Sequence, residues 1–489
     1  MLLMALLFSK ALAREEKQFS IVINVLDTAL ITDASVKFEM IEQKLNSSSI
    51  KSSELYIFKL TGAKTKVSIP IKLGLTYGRI TVISKSRKNL PLHVNNNLFI
   101  FEPEDNLSLS ISASQASFSG KGSEKYNYLK NLSEEVLKKI KSDLINRYYA
   151  EGNFEQMIYE YIREIDSRFD TLDKRLKDLQ PFLSRNAYMQ IEADNQSRRK
   201  RRILGLIISR AINHADRRYD VAFAEIFTKL LANPEISSLE KDFLAQSYYY
   251  VDYLYERSHW KNILRHNPDL RSMNIPKFAD LYKEIQSYPS DSIRDKLTLV
   301  TFYKNIKQKP EVVDYFSDAL AKMSDNIFRK KLSTFESSVT RSAFAYALPD
   351  ASGKIHHLKE LRGKLVVLDF WFSGCMPCKF LAEAKKPILA KYNKNPNIAF
   401  VTVSVDGEAQ KEAWLRNLQK EIYTSNEEIN LLAPKGYNDE IVKHYNILSY
   451  PTLIVVSKDG KVITVSPPKP SLSEPGKTDA FIALIEKHL

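Results

Sequence analysis

The stretch LDFWFSGCMPCK, residues 368–379, contains both cysteines of the 489-residue chain, Cys375 and Cys378. The residues leading into it, KLVVLDFW (364–371), form an apolar run of strand length, so the C-x-x-C falls between a buried strand and the mouth of a helix. Three uses of such a pair compete. A structural zinc site takes four ligands, usually a second C-x-x-C or a histidine pair. There is no third cysteine, and His356, His357 and His444 lack finger spacing. A static disulfide is possible, but across so short a loop it gains little entropy. A redox pair explains the placement better. A helix N-terminus favours the thiolate. The first sulfur is then expected to be exposed enough to attack, with the second within reach to displace it.

Downstream, NIAFVTVSVD (397–406) reads as a second strand and EAQKEAWLRNLQKEI (408–422) as a helix. TLIVVSKDGKVITVS (452–466) reads as a hairpin turning at Asp459-Gly460, and KTDAFIALIEKHL (477–489) as a closing helix. Strands alternating with helices, followed by a hairpin, predict an α/β layer fold around a mixed sheet.

These residues carry a resemblance. LDFWFSGCMPCK followed by YPTLIVVSKDGKV (450–462) resembles a thioredoxin fold. The approach YALPDASGKIHHLKELRGKLVVLDFW (346–371) and the long insert before HYNILSYPT (444–452) resemble the TlpA/ResA-like thiol–disulfide oxidoreductases of bacterial cell envelopes. The resemblance covers the C-terminal domain only. It implies that Cys375 is the attacking nucleophile, Cys378 the resolving thiol, and Pro451 a cis-proline facing them, beside which an extended substrate strand can pair. Asp369 matches the buried acid that helps move the proton of the second thiol. A satisfied strand-end carboxylate is the competing reading. Trp371 falls on a core aromatic. Three departures stand out. Gly374 replaces the usual Trp before the first cysteine and opens the rim. Leu381 stands where the envelope reductases often carry an acid, with Glu383 two residues further on. Thr402 lies near the position of the lysine that partners the buried acid, so a buried Asp369 is expected to titrate higher for want of that charge.

Residues 19–118 read as β. Phe19, Ile21, Ile23 and Val25 share one face. Val67, Ile69, Ile71 and Leu73 alternate with Lys66, Ser68, Pro70 and Lys72, while Leu107, Leu109, Ile111 and Ala113 alternate with serines. A two-residue period predicts half-buried antiparallel strands in a sandwich or small barrel, with Pro70 on an edge strand. SGKGSEK (119–125) reads as a linker. Leu129, Leu132, Val136, Ile140 and Leu144 then recur as the stripe of an amphipathic helix, and helical patterning continues to about residue 335. The cluster YYYVDYLYERSHW (248–260) reads as core and interface filler. SRRKRR (197–202) reads as the solvated end of a helix, with contact to phosphate, acidic lipid or an acidic partner as the alternative.

The net charge is +14, and residues 341–489, with 20 Lys+Arg against 16 Asp+Glu, hold +4 of it, leaving +10 for residues 1–340. A diffuse excess without an aromatic platform argues against a nucleic-acid partner. No apolar run approaches the roughly 20 residues of a membrane span, so an integral membrane protein is not expected. At the start, Leu2–Phe8 is apolar and Ala11-Leu12-Ala13 fits a small-x-small cleavage site, which predicts a signal peptide, an ordinary first strand being the alternative. No cysteine lies near residue 13 to carry a lipid anchor.

The expected plan is multidomain: a signal peptide at 1–13, a β-sandwich-like domain at 14–120, an α-helical domain at 121–335 and a thioredoxin-like domain at 336–489. The expected function is that of an exported, periplasmic thiol–disulfide oxidoreductase, reducing protein disulfides of the cell envelope. Its partners are disulfide-containing envelope proteins and, by resemblance, a membrane thiol relay as electron donor. No cofactor is expected beyond the redox-active disulfide Cys375–Cys378. Two alternatives stay open: an envelope binding or scaffold protein with a vestigial thioredoxin-like domain, and a thiol peroxidase. Against the latter, Phe372 stands where peroxiredoxins place the threonine of their Thr-x-x-Cys pocket.

Overall fold

Alternation of apolar and polar residues carries the first part of the chain into strands. In the computed structural model these are β1 (Lys17–Val25), β2 (Ala34–Ile41), β3 (Ser53–Lys59), β4 (Lys64–Ile71), β5 (Thr76–Ser84), β6 (Phe99–Phe101), β7 (Asn106–Ile111) and β8 (Ala116–Lys121). The structure describes residues 17–27, 34–42, 44–50, 53–71, 74–84, 98–130, 132–140, 142–212, 217–232, 236, 239–266, 277–306, 310–340 and 342–489. The expected signal segment, 1–13, lies outside them.

The strands form two four-stranded sheets, ordered β4-β1-β7-β8 and β3-β2-β5-β6. Phe19, Ile21, Ile23, Val67, Ile69, Ile71, Leu107, Leu109 and Ile111 are all buried, as their alternation predicts. Pro70 lies on the edge strand β4. One pairing departs from the expected antiparallel pattern. β1 runs parallel to β7, which the long connection between them permits.

SGKGSEK is not a linker. It spans the end of β8 and the start of helix α1 (Ser123–Leu129). Gly122 has φ 88°, and a Cβ there would lie 2.2 Å from Asp105 Oδ1, so this glycine serves close approach rather than flexibility. Lys125 is buried, with its Nζ 2.5 Å from Asp105 and 2.7 Å from Glu102. Tyr126 donates to Asp105 Oδ2 at 2.8 Å and packs among Phe19, Phe99, Phe101 and Phe118.

The helices that follow are α2 (Leu132–Leu137), α3 (Asp143–Ala150), α4 (Phe154–Leu179), α5 (Arg185–Ile212), α6 (Arg217–Ala232), α7 (Lys241–Gln246) and α8 (Tyr250–His266). The stripe from Leu129 to Leu144 is therefore broken over α1, α2 and α3. Leu129, Leu132 and Val136 still face the core, while Ser142 accepts from Ile145 N and starts a new helix. Tyr248, Tyr250, Tyr253 and Tyr255 are buried filler, as read. SRRKRR is not a solvated end but the interior of α5. Arg199 bonds Asp166 and Asp170 of α4 at 2.6 and 2.9 Å, and Arg201 grips Glu256 of α8 at 2.7 Å.

The chain divides into two compact units, Met1–Asn46 with Ser52–Ile275, and Ser47–Lys51 with Pro276–Leu489. This differs from the boundaries read at 120 and 335, which follow changes of period. Phe169, Leu172, Leu176 and Ile191 of α4 and α5 share a core with the strands, so no boundary separates sheets from helices there. The second unit begins with α9 (Phe278–Gln286), α10 (Asp291–Asn305), α11 (Phe316–Lys322) and α12 (Asn326–Thr340). A hairpin of β9 (Ala347–Pro349) and β10 (Ile355–His357) follows. Then come β11 (Leu365–Trp371), α13 (Met376–Tyr392), β12 (Ile398–Ser404), α14 (Lys411–Gln419), β13 (Ile429–Leu432), α15 (Glu440–His444), β14 (Thr452–Val456), β15 (Val462–Thr464) and α16 (Pro475–His488). The five-stranded sheet is mixed and ordered β13-β12-β11-β14-β15. β11, β12 and β13 run parallel, β14 runs antiparallel to β11, and β15 antiparallel to β14.

Candidate active site

Every residue of β11 is buried, as befits the central strand of a sheet covered on both faces. At its end the chain turns through Phe372, Ser373 and Gly374. The turn is clamped from outside. Asp406 accepts from Ser373 N at 2.9 Å and from its Oγ at 2.7 Å, Asn417 donates to Ser373 Oγ at 2.6 Å, and Tyr423 OH accepts from Gly374 N at 2.9 Å. Gly374 has φ 96°, the left-handed conformation that a side chain resists, with open space where its Cβ would stand. Cys375 then caps α13, its Sγ accepting from Cys378 N at 3.2 Å. Pro377 occupies the first turn, where no N–H is needed. Cys375 and Cys378 are joined as a disulfide, with Cα atoms 5.3 Å apart.

The first sulfur is less open than the sequence suggests. Cys375 is 3% exposed and Cys378 2%. The cause is aromatic. The pair packs with Trp371, Trp414 and Leu432, and Phe372, Tyr423 and Tyr450 flank the cluster. Phe372, Tyr437 and Tyr450 meet edge to face with centroids 5.5 to 5.9 Å apart. The Tyr450–Pro451 peptide is cis, and Lys469 Nζ donates to Pro451 O at 2.6 Å. Beside it opens a groove of about 640 Å³, lined among others by Pro377, Phe380, Tyr450, Pro451, Lys469 and Leu472. Phe380 and Leu472 are exposed there.

Asp369 lies on β11, buried. Its expected lack of a lysine partner is overturned. Lys385, from α13, brings its Nζ to 2.6 Å from Asp369 Oδ2 and to 2.7 Å from Glu428 Oε1. Burial pushes the Asp369 carboxyl up, Lys385 pulls it down and Glu428 pushes it up again, the net direction being upward. The expected direction holds, but for another reason. Burial opposes the Lys385 ammonium, yet Asp369 and Glu428 hold it well above the usual lysine range. Thr402 is occupied elsewhere, donating to Asn430 Oδ1 at 2.7 Å. Leu381 is buried, while Glu383 pairs with Lys386 at the surface. Lys385 and Glu428 escaped the sequence reading. The available signal was a lysine on the apolar face of α13, among Leu381, Ile388 and Leu389, where an unpaired lysine almost never sits.

The family described as Thioredoxin-like matches residues 363–462. Among curated relatives, the thiol-disulfide oxidoreductase ResA of Bacillus thuringiensis subsp. konkukian is 28% identical over 125 residues, which are 26% of this chain and 67% of the relative. The ResA of Bacillus subtilis is 29% identical over 123 residues, 24% of this chain and 62% of that protein. The C-terminal domain is a TlpA/ResA-like thioredoxin domain. Its enzyme class is thiol–disulfide oxidoreductase. A solved thiol-disulfide oxidoreductase from Bacteroides fragilis is 26% identical to the thioredoxin domain's chain, with a TM-score of 0.26, over 30% of this chain and 99% of that one. Upstream of the thioredoxin domain and within it, no helix among the described residues is long and apolar enough to cross a membrane.

Proposed function

We propose that this chain is an exported thiol–disulfide oxidoreductase that reduces disulfides of cell-envelope proteins through Cys375 and Cys378. The observation that carries the reading is a disulfide at the N-terminus of α13, packed against Tyr450 and bordered by a groove along the Tyr450–Pro451 segment. In the reduced state, the unpaired N–H groups of the helix start favour a thiolate at Cys375. That thiolate attacks one sulfur of a substrate disulfide. The other substrate sulfur leaves as a thiolate and takes a proton from water. Cys378 then loses its proton to Asp369 and attacks Cys375 Sγ, which releases the second substrate sulfur. Two electrons have passed to the substrate, and the cysteine pair is left as a disulfide. A membrane thiol relay returns them, and no dissociable cofactor enters. An extended substrate segment lies along the groove beside Pro451. Support for export is the apolar Leu2–Phe8 followed by Ala11-Leu12-Ala13.

Insulin reduction tests the reading. The full-length chain, supplied with a dithiol, should precipitate insulin, and Cys375→Ala should not. A folded but inactive wild type would leave the scaffold reading, and peroxide consumption in its place would favour the peroxidase. The protein isolated from its host should begin near Arg14, and an intact Met1 would remove the case for export.

A further inference from the structure

Lys385 and Glu428 do no work in the exchange just described, yet both stand dry beside Asp369. One ammonium faces two carboxylates, at 2.6 and 2.7 Å, and none of the three side chains is more than 4% exposed. An uncompensated buried charge is costly, so a site this dry retains one spare proton. The hydrogen bonds select its owner. Glu428 accepts from Lys385 and also from Thr424 Oγ1 at 3.1 Å and Ser425 N at 3.0 Å, three donors in all. Asp369 Oδ2 has Lys385, whereas its buried Oδ1 has no hydrogen-bond partner among the described residues. The spare proton belongs on that oxygen.

We infer that Glu428 is a positioning residue, which by engaging Lys385 leaves Asp369 as the proton carrier for Cys378, in a helix where Leu381 stands in place of the acid common among the envelope reductases. The inference rests on the thiol exchange proposed above. Lys385 follows Cys378 by two helical turns on α13, so thiol and ammonium share the buried side of the helix. In the oxidised state Asp369 is neutral. When a donor thiolate attacks Cys375 Sγ, the Cys375–Cys378 bond breaks and Cys378 leaves as a thiolate. That thiolate takes the proton from Asp369 Oδ1, and the new carboxylate rests against Lys385. During substrate reduction the proton returns to Asp369 as Cys378 closes on Cys375. The charged groups facing Asp369 are Lys385 from α13, Glu428 just ahead of β13 and Lys469 from the segment after β15. Removing the charge of Glu428 therefore leaves cations only.

Infrared difference spectra of the full chain, oxidised minus reduced, test this from about pH 5 to about pH 9. A protonated-carboxyl stretch should accompany the oxidised form near neutral pH and vanish in Asp369→Asn. In Glu428→Gln the stretch should titrate lower by about one pH unit or more. The pH inflection in the rate of mixed-disulfide resolution should move with it. A band absent from the wild type would overturn the inference without any variant having to fold, and so would equal titration in wild type and Glu428→Gln. A chain that shows the band and its shift but reduces no disulfide would sink the exchange reading while the proton assignment stands.

Discussion

Cys375 is the N-cap of α13, while Cys378 lies inside its first turn with the sulfur of Cys375 within reach. This inequality sets the expected behaviour of two single variants. Cys378→Ala can still attack a partner disulfide through Cys375 but cannot release it. Expressed in its own host and alkylated on lysis, it should show reductant-sensitive adducts on a gel, whereas Cys375→Ala should show few. Equal trapping would reverse the assigned order, and mass spectrometry of the adducts would name the substrate. At this scale the sequence was informative wherever a residue's role is set by its immediate neighbours. The strand bearing Asp369 and the helix that opens at the cysteine pair were both readable. The partner of Asp369 was not, because Lys385 and Glu428 are brought to it by tertiary packing from positions that no local pattern links. The burial of Cys375 was also hidden, since Trp414 and Tyr423 arrive from α14 and the turn after it, and Tyr450 from just ahead of β14.

Among the elements, α15 makes a pH-dependent contribution. It ends at His444, whose ring packs against Phe344 and Tyr445 at 5.1 and 4.8 Å, with Nε2 buried and unpaired among the described residues. Burial lowers its proton affinity below the ordinary histidine value. The unfolded chain therefore binds this proton more readily than the native state. The contribution is complete above the ordinary value and lost as the pH falls through the depressed one. The second unit should lose melting temperature between about pH 7.5 and about pH 5, and His444→Phe should lose less. Identical losses would remove His444 from the account. Strands and the α13 helix were legible because their period and burial agree. Residues 119–125 misled for a physical reason. Glycine marks a close approach as readily as a flexible joint, and only the position of Asp105 distinguishes the two.

The whole molecule divides by packing rather than by period, and the first unit carries a pH-dependent contribution opposite in sign to that of His444. In the first, Asp194 is buried and accepts from Tyr77 OH at 2.8 Å, Ser247 Oγ at 2.6 Å and Tyr248 N at 3.1 Å. Burial pushes its carboxyl up to about 6, against the pull of these donors. The folded state thus holds the proton more tightly than the unfolded chain. This contribution is complete below the ordinary aspartate value and lost as the pH rises through about 6. Calorimetry of Asp194→Asn should show less loss of stability in the first unit between about pH 4 and about pH 7 than the wild type shows. Equal loss would mean that the three donors outweigh burial. The sequence reading put no boundary at 275, because the helical pattern that breaks at 267–276 resumes after it.

The aromatic cluster around the cysteine pair has an optical consequence. The chain has three tryptophans, and two of them, Trp371 and Trp414, are fully buried in the cluster that contains the disulfide. A disulfide accepts an electron from an excited indole and quenches its emission, whereas a pair of thiols does so far less. Opening the bond should therefore brighten the unlabelled protein, and the gain should shrink in Trp371→Phe and in Trp414→Phe. Emission unchanged on reduction would mean that neither indole couples to the sulfurs. With that coupling, stopped-flow fluorescence follows each redox half-reaction in the intact chain, using chromophores the sequence already supplies.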